Sequence, residues 1–167
     1  MLEWAESQGC DHVRSSFGAD AGAKVRLLGG SVLWRTPDFG ATPWHQDAGY
    51  RAREGLHEGA PRRVGAWVAL TRARAGPGGG CLRFAPAFGY DVKEHITVDK
   101  GLAGNSGFCT RMSDVDAAAA AALAEDVPVE AGDMIIIGDR VAHASHSGDA
   151  CEGGRVAFSA LYEVEQP

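Results

Sequence analysis

Long apolar runs are missing from this sequence. The longest unbroken apolar stretch is AAAAAALA at 117–124 and the longest run of larger aliphatic residues is MIII at 134–137, both far short of the roughly 20 residues a helix needs to cross a bilayer, so no helical membrane partner is expected. Positive charge is in short supply too. Sixteen Lys and Arg stand against 22 Asp and Glu, a formal net charge of -6, which leaves no broad basic surface to neutralise a phosphate backbone and argues against nucleic acid as a partner. An anionic small molecule would need an arginine of its own. Cysteine is sparse and scattered: Cys10, Cys81, Cys109 and Cys151 form no C-x-x-C pair and no dense disulfide framework, the pattern of free thiols in a reducing compartment. The opening MLEWAESQGC carries acids where a signal peptide is basic and lacks an apolar core. A soluble, cytoplasmic protein is expected.

What is present is apolar content of 45% over 167 residues, enough for one well-buried core and too little chain to split comfortably in two. A single domain spanning 1–167 is expected. The runs KVRLL, SVLW, VGAWVAL, CLRFA, MIII and RVAFSALY are of strand length and rich in β-branched or aromatic residues, separated by Gly, Pro and Asp in the manner of a sandwich or barrel. A polar excursion at 51–63, RAREGLHEGAPRR, reads as a lid-like loop. Two helices are predicted. One covers 113–125, with Ser113 as N-cap and Asp116 at capping-box distance ahead of an alanine run; the other lies around Leu2–Val13. GPGGG at 76–80 lacks a following Lys-Ser/Thr and leads into a strand, so it predicts a hairpin or bulge turn rather than a phosphate cradle.

In TPWHQDAGY at 42–50, His45 and Asp47 stand two residues apart. On a strand that spacing puts an imidazole and a carboxylate on one face and turns Gln46 away. Two ligands do not hold a metal, but GDMIIIGDRVAHASHSGD ends a later strand with both His143 and His146. Two histidines and one carboxylate with open positions make the facial triad of non-haem Fe(II) oxygenases. Either distal histidine satisfies that chemistry; in an extended segment they point to opposite faces. Arg155, Ala157, Ser159 and Leu161 alternate with Val156, Phe158, Ala160 and Tyr162, so Arg155 and Ser159 share a strand face. Arg155 is suited either to a bound carboxylate or to an ion pair with an acid such as Glu163.

TPWHQDAGY, AWVAL at 66–70, GGGCLRFAP at 78–86, GDMIIIGDRVAHAS and GRVAFSALY at 154–162, in that order, resemble the phytanoyl-CoA dioxygenase family of Fe(II)/2-oxoglutarate-dependent oxygenases, from about Leu27 to Tyr162. The resemblance implies a mainly β fold, a double-stranded β-helix of jelly-roll or cupin-like form with one or two short flanking helices. It implies His45, Asp47 and His143 as Fe(II) ligands, the last standing eleven residues after Gly132 of the Gly-Asp turn. It implies Arg155 and Ser159 on the distal carboxylate of 2-oxoglutarate, and Trp67 in the cosubstrate pocket. The implied activity uses O2 to couple decarboxylation of 2-oxoglutarate to oxidation of a small organic or acyl substrate, most often by hydroxylation. His12, His57, His95 and His146 are left as ordinary polar or surface residues. Two departures from the family pattern stand out: only 44 residues precede His45, so the N-terminal region is shorter than usual, and APAFGY at 85–90 replaces the family's Gly-Ser-His after its central proline. A cupin-like metal-dependent isomerase or hydrolase, and a metal-binding jelly roll without turnover, are the alternatives. The prime substrate and the oligomeric state are left open.

Overall fold

The computed structural model describes residues 1–16, 23–36, 40–53, 61–97, 110–148, 151 and 154–165. Four strands form the larger sheet. β1 (Lys24–Arg35) pairs with β9 (Arg155–Glu165), β9 with β2 (Arg62–Ala69), and β2 with β7 (Met134–Gly138), all antiparallel. The smaller sheet has the order β6 (Glu125–Val127), β3 (Leu82–Phe84), β8 (His143–Ser145), and β4 (His95–Thr97) pairs with β5 (Thr110–Met112). Residues 42–45 join these last two groups. His45 exchanges both backbone hydrogen bonds with His143, Ser145 N–H donates to the Thr42 carbonyl, and Met112 N–H donates to the Trp44 carbonyl. The result is two facing sheets, the jelly-roll arrangement, mainly β.

The six apolar runs of the sequence all lie in strands or at their ends, with KVRLL and SVLW merged into β1 across a bulge between Leu27 and Gly29. Alternation explains the layering. Ala157 of β9 joins Trp67, Ala69, Cys81, Leu82 and Ile137 between the sheets. Phe158, Ala160, Tyr162 and Val164 face outward and pack with Val64 and Ala66 against the N-terminal helical segment through Ala5 and Val13. Burying a side chain such as Phe158 contributes roughly 1.5–3 kcal/mol. On the outside of the smaller sheet, Trp44, Met112 and Ala144 pack against Ala120 of a helix that covers Asp114–Ala122.

That N-terminal segment runs from α1 (Leu2–Trp4) through a π-helical turn at Ala5–Gly9 into α2 (Cys10–Ser16). Burial pushes the Tyr162 phenol up to about 12, so it stays a neutral donor, and its hydroxyl bonds the Ala5 carbonyl at 3.1 Å. A Cβ on Gly9 would lie 2.1 Å from that hydroxyl oxygen. Gly9→Ala is therefore expected to lower the urea midpoint: overpacking costs about 1–3 kcal/mol, more than the roughly 1 kcal/mol that Ala brings to a helix. An unchanged or raised midpoint would show that the tyrosine can step aside.

The predicted N-cap holds in the alanine helix, for which α3 (Ala48–Arg53) leaves the name α4: Ser113 Oγ accepts from Asp116 N–H at 3.2 Å. The helix stops earlier than its composition suggested, because Glu125 pairs with Phe84 in β6. The polar excursion at 51–63 is not one loop. Residues 51–53 finish α3, Arg62 begins β2, and 54–60, with His57, lie outside the described residues, as does Cys109. Cys10, Cys81 and Cys151 are free. Among the described residues no helix is long and apolar enough to cross a membrane.

Candidate metal centre

His45, Asp47 and His143 come together, each offering a ligand atom within 4.8 Å of the others. Asp47 Oδ1 lies 3.5 Å from His45 Nε2 and 3.9 Å from His143 Nε2. The backbone pairing of His45 with His143 sets the two imidazoles side by side, with ring centroids 4.2 Å apart. His45 does not share a strand with Asp47, as the sequence pattern suggested. After the single bridge at His45 the chain turns: Gly49 N–H donates to the Gln46 carbonyl and Tyr50 N–H to that of Asp47, opening α3. The turn rather than a pleat presents the carboxylate, and Asp47 is about one third exposed while both histidines are buried.

Each imidazole is oriented from behind. Nδ1 of His45 lies 2.9 Å from the Pro43 carbonyl, and Nδ1 of His143 lies 2.9 Å from that of Val141. A carbonyl can only accept, so each Nδ1 carries a proton and each Nε2 is left facing Asp47, a donor in the protonated ring and a lone pair in the neutral one. Burial, then the neighbouring His45, push His143 down to about 4. Burial raises Asp47, but the His45 hydrogen bond and the imidazoles of His143, His45 and His95 outweigh it and hold the carboxyl down at about 2. At neutral pH the site therefore presents a neutral imidazole and a carboxylate, the forms that bind cations.

Gln46 does point away, and its side chain anchors the turn. It is fully buried; its amide donates to the carbonyls of Asp91 at 3.0 Å and Arg140 at 2.7 Å, and it accepts from Lys93 N–H at 2.8 Å. His95, expected to be an ordinary polar histidine, is a second anchor: its Nε2 accepts from Gln46 N–H at 3.0 Å while Nδ1 faces the Lys93 carbonyl at 2.8 Å. Gln46→Ala is expected to weaken metal binding by about 10- to 100-fold, as loss of a group that orients ligands does. It should also cost about 2–4 kcal/mol of stability through unsatisfied buried groups. Isothermal titration and denaturant melts test both; unchanged affinity would sink the anchoring role.

His146 is turned out of this centre, with Nε2 2.8 Å from Asp126 Oδ2. Arg155 is buried with its Nη1 on the Gly80 carbonyl at 2.8 Å and its guanidinium carbon 5.4 Å from the Trp67 ring centroid. The ion pair with Glu163 does not form: Glu163 stands eight residues further along β9, out of reach, and pairs with Arg26 at 2.6 Å. Nε of Arg155 has no hydrogen-bond partner among the described residues. Ser159 stands opposite Trp67 in the β2–β9 register, which places Arg155, Ser159 and Trp67 on the inner face. GPGGG forms the predicted turn, with Gly80 at φ 74, and supplies the carbonyl that grips Arg155. A residue the sequence reading did not single out completes the group: Arg35 pairs with Arg155 across β1 and β9 and is buried. Burial lowers both guanidinium groups to about 10, Arg35 further pressed by Arg155, yet both stay charged at neutral pH. Only the strand register reveals Arg35; nothing local in the sequence sets it apart.

Solved structures share this fold. EvdO2 from Micromonospora carbonacea var. aurantiaca superposes with a TM-score of 0.68 at 21% identity, over 99% of this chain and 64% of that one, and has been crystallised with 2-oxoglutarate. The non-heme monooxygenase ThoJ gives 0.59 at 25% identity, over 96% and 54%. SnoN, a non-heme alpha ketoglutarate dependent epimerase from nogalamycin biosynthesis, gives 0.57 at 19%, over 93% and 52%; it has also been solved with Fe3+ and alpha ketoglutarate. The chain thus spans between about half and two thirds of these proteins. No curated protein matches the sequence. The family model for phytanoyl-CoA dioxygenase (PhyH) matches residues 4–149, and the chain belongs to that family.

Proposed function

We propose that this chain is an Fe(II)- and 2-oxoglutarate-dependent oxygenase that oxidises a small organic substrate. The observation that carries the reading is the convergence of His45 Nε2, His143 Nε2 and the Asp47 carboxylate, with both Nδ1 atoms tied to backbone carbonyls. Two imidazoles and one carboxylate on one side leave the other coordination positions to exogenous ligands, the arrangement suited to non-haem Fe(II). The buried guanidinium of Arg155, whose Nε finds no hydrogen-bond partner among the described residues, fits a dicarboxylate that the triad alone could not orient.

Each residue then has a task. His45, Asp47 and His143 hold the iron; Arg155, with Arg35 beside it, holds the far carboxylate of 2-oxoglutarate, Ser159 adds a hydroxyl, and Trp67 walls the pocket beneath the guanidinium. Iron and 2-oxoglutarate supply the oxidising chemistry, with O2 as oxidant, succinate and carbon dioxide as by-products, and hydroxylation as the expected outcome.

The test is anaerobic addition of Fe(II) and then 2-oxoglutarate to the metal-free protein, read as the visible charge-transfer band of the chelate, followed by O2 and measurement of succinate. A band with succinate release supports the oxygenase. A band without turnover for any substrate points to a binding protein, and a folded protein that gives no band refutes the iron–oxoglutarate reading and returns the triad to a metal-dependent isomerase or hydrolase.

A further inference from the structure

His146 belongs to a second convergence of donor atoms. Cys81, Asp126 and His146 offer one ligand atom each, all within 4.8 Å of one another. Three separate segments bring them together: Cys81 leads into β3, Asp126 sits in β6 opposite Arg83, and His146 follows β8. The strand order β6-β3-β8 is what makes them neighbours.

The donor set is one thiol sulfur, one imidazole and one carboxylate. Sulfur and imidazole together select a borderline-soft cation over Mg(II) or Ca(II). The carboxylate is oriented from behind, as metal-binding carboxylates are: Gly76 N–H donates to Asp126 Oδ2 at 2.8 Å and Arg83 Nε to Oδ1 at 3.0 Å. The site also has a way in. Cys81 is buried, but the His146 and Asp126 side chains are 15% and 26% exposed, so the group opens to solvent on the side where a water would complete four-coordination.

We propose that Cys81, Asp126 and His146 form a second metal site, distinct from the His45–Asp47–His143 centre, that takes a borderline-soft divalent cation such as Zn(II) with water as the fourth ligand. The ion enters between His146 and Asp126, which touch directly without it, and ties the three strands together. His146 N–H already donates to the Cys81 carbonyl at 3.0 Å, and the preceding carbonyl, that of Gly80, holds Arg155. The ion therefore stiffens the backbone on which that arginine rests, and Cys81, packed with Trp67 and Ala157, sets the site against the wall of the inner pocket.

Co(II), a spectroscopic stand-in for Zn(II), separates the two sites because only this one contains sulfur. In the His45→Ala/His143→Ala variant of the 167-residue chain, one equivalent of Co(II) is expected to bind with a near-ultraviolet sulfur-to-cobalt charge-transfer band. Adding Cys81→Ser or His146→Ala should remove the band, and adding Cys151→Ser should leave it. The wild-type chain should take two equivalents. The proposal is overturned if the folded double variant shows no sulfur band, or if the band survives Cys81→Ser or is lost with Cys151→Ser. Since His146 is on the surface side of the group, His146→Ala carries the test even where Cys81→Ser disturbs folding; a band that persists in it is equally fatal.

Discussion

His143→Ala is expected to abolish the Fe(II)–2-oxoglutarate charge-transfer band and to lower Fe(II) affinity by more than about 100-fold, whereas His146→Ala leaves both within about threefold. The reasoning is geometric. His143 Nε2 faces Asp47 and stands on the same backbone rung as His45, while His146 is committed to Asp126. Loss of a group that merely orients a ligand costs about 10- to 100-fold in metal affinity, so loss of one ligand in three should exceed the top of that range. Metal titration with the band as readout decides it, and a His146→Ala protein that loses the band while His143→Ala keeps it would reverse the assignment.

Arg155→Met is expected to act in two opposite directions. Affinity for 2-oxoglutarate should fall about 30- to 4,000-fold, because truncating one partner of a buried charge pair costs about 2–5 kcal/mol. Without cosubstrate the same variant should melt higher, by roughly 2–4 °C for each 1 kcal/mol gained in a chain of this size. Among the described residues Arg155 makes one hydrogen bond to a carbonyl and one ring contact, together worth about 2–4 kcal/mol. Against that stand a desolvation penalty of several kcal/mol and a second buried cation, Arg35, in the adjacent register position. The penalty wins, so a thioether of similar reach should be more stable there. Isothermal titration and differential scanning calorimetry separate the two effects. Undiminished affinity would move the carboxylate to Arg35, and a lower melting temperature would show that the empty pocket already satisfies its arginine.

Much of this architecture can be read from residues that obey a local rule. β2 and β9 announce themselves through β-branched and aromatic alternation, and Ser113 with Asp116 marks a helix start because one side chain satisfies one orphan N–H. A donor set of two imidazoles and one carboxylate was legible from residue type and spacing, while the choice of His143 over His146 rested on the family resemblance. Their geometry was not: strand periodicity predicted Asp47 beside His45 on a pleat, but the hydrogen bonds at Gly49 and Tyr50 turn the chain there. The three-residue strands β3, β4, β5, β6 and β8 are too short to carry a period. Arg35 and the Asp126–His146 pair depend on register between distant segments, which no window along the sequence contains.

The reciprocal backbone pairing of His45 and His143 has a kinetic consequence. Their amides donate to each other's carbonyls at 3.0 and 2.9 Å, and each Nδ1 is held by a carbonyl two residues back, so both backbone and rings are tied, and the main-chain rung must open before the two residues can part. Release of a metal held there is expected to be coupled to local unfolding of this rung. Amide hydrogen exchange at His45 and His143 should accordingly slow in concert when metal is added, and the off-rate of the metal should not exceed the opening rate those amides report. Ions would leave this protein at the pace of its backbone rather than of its side chains.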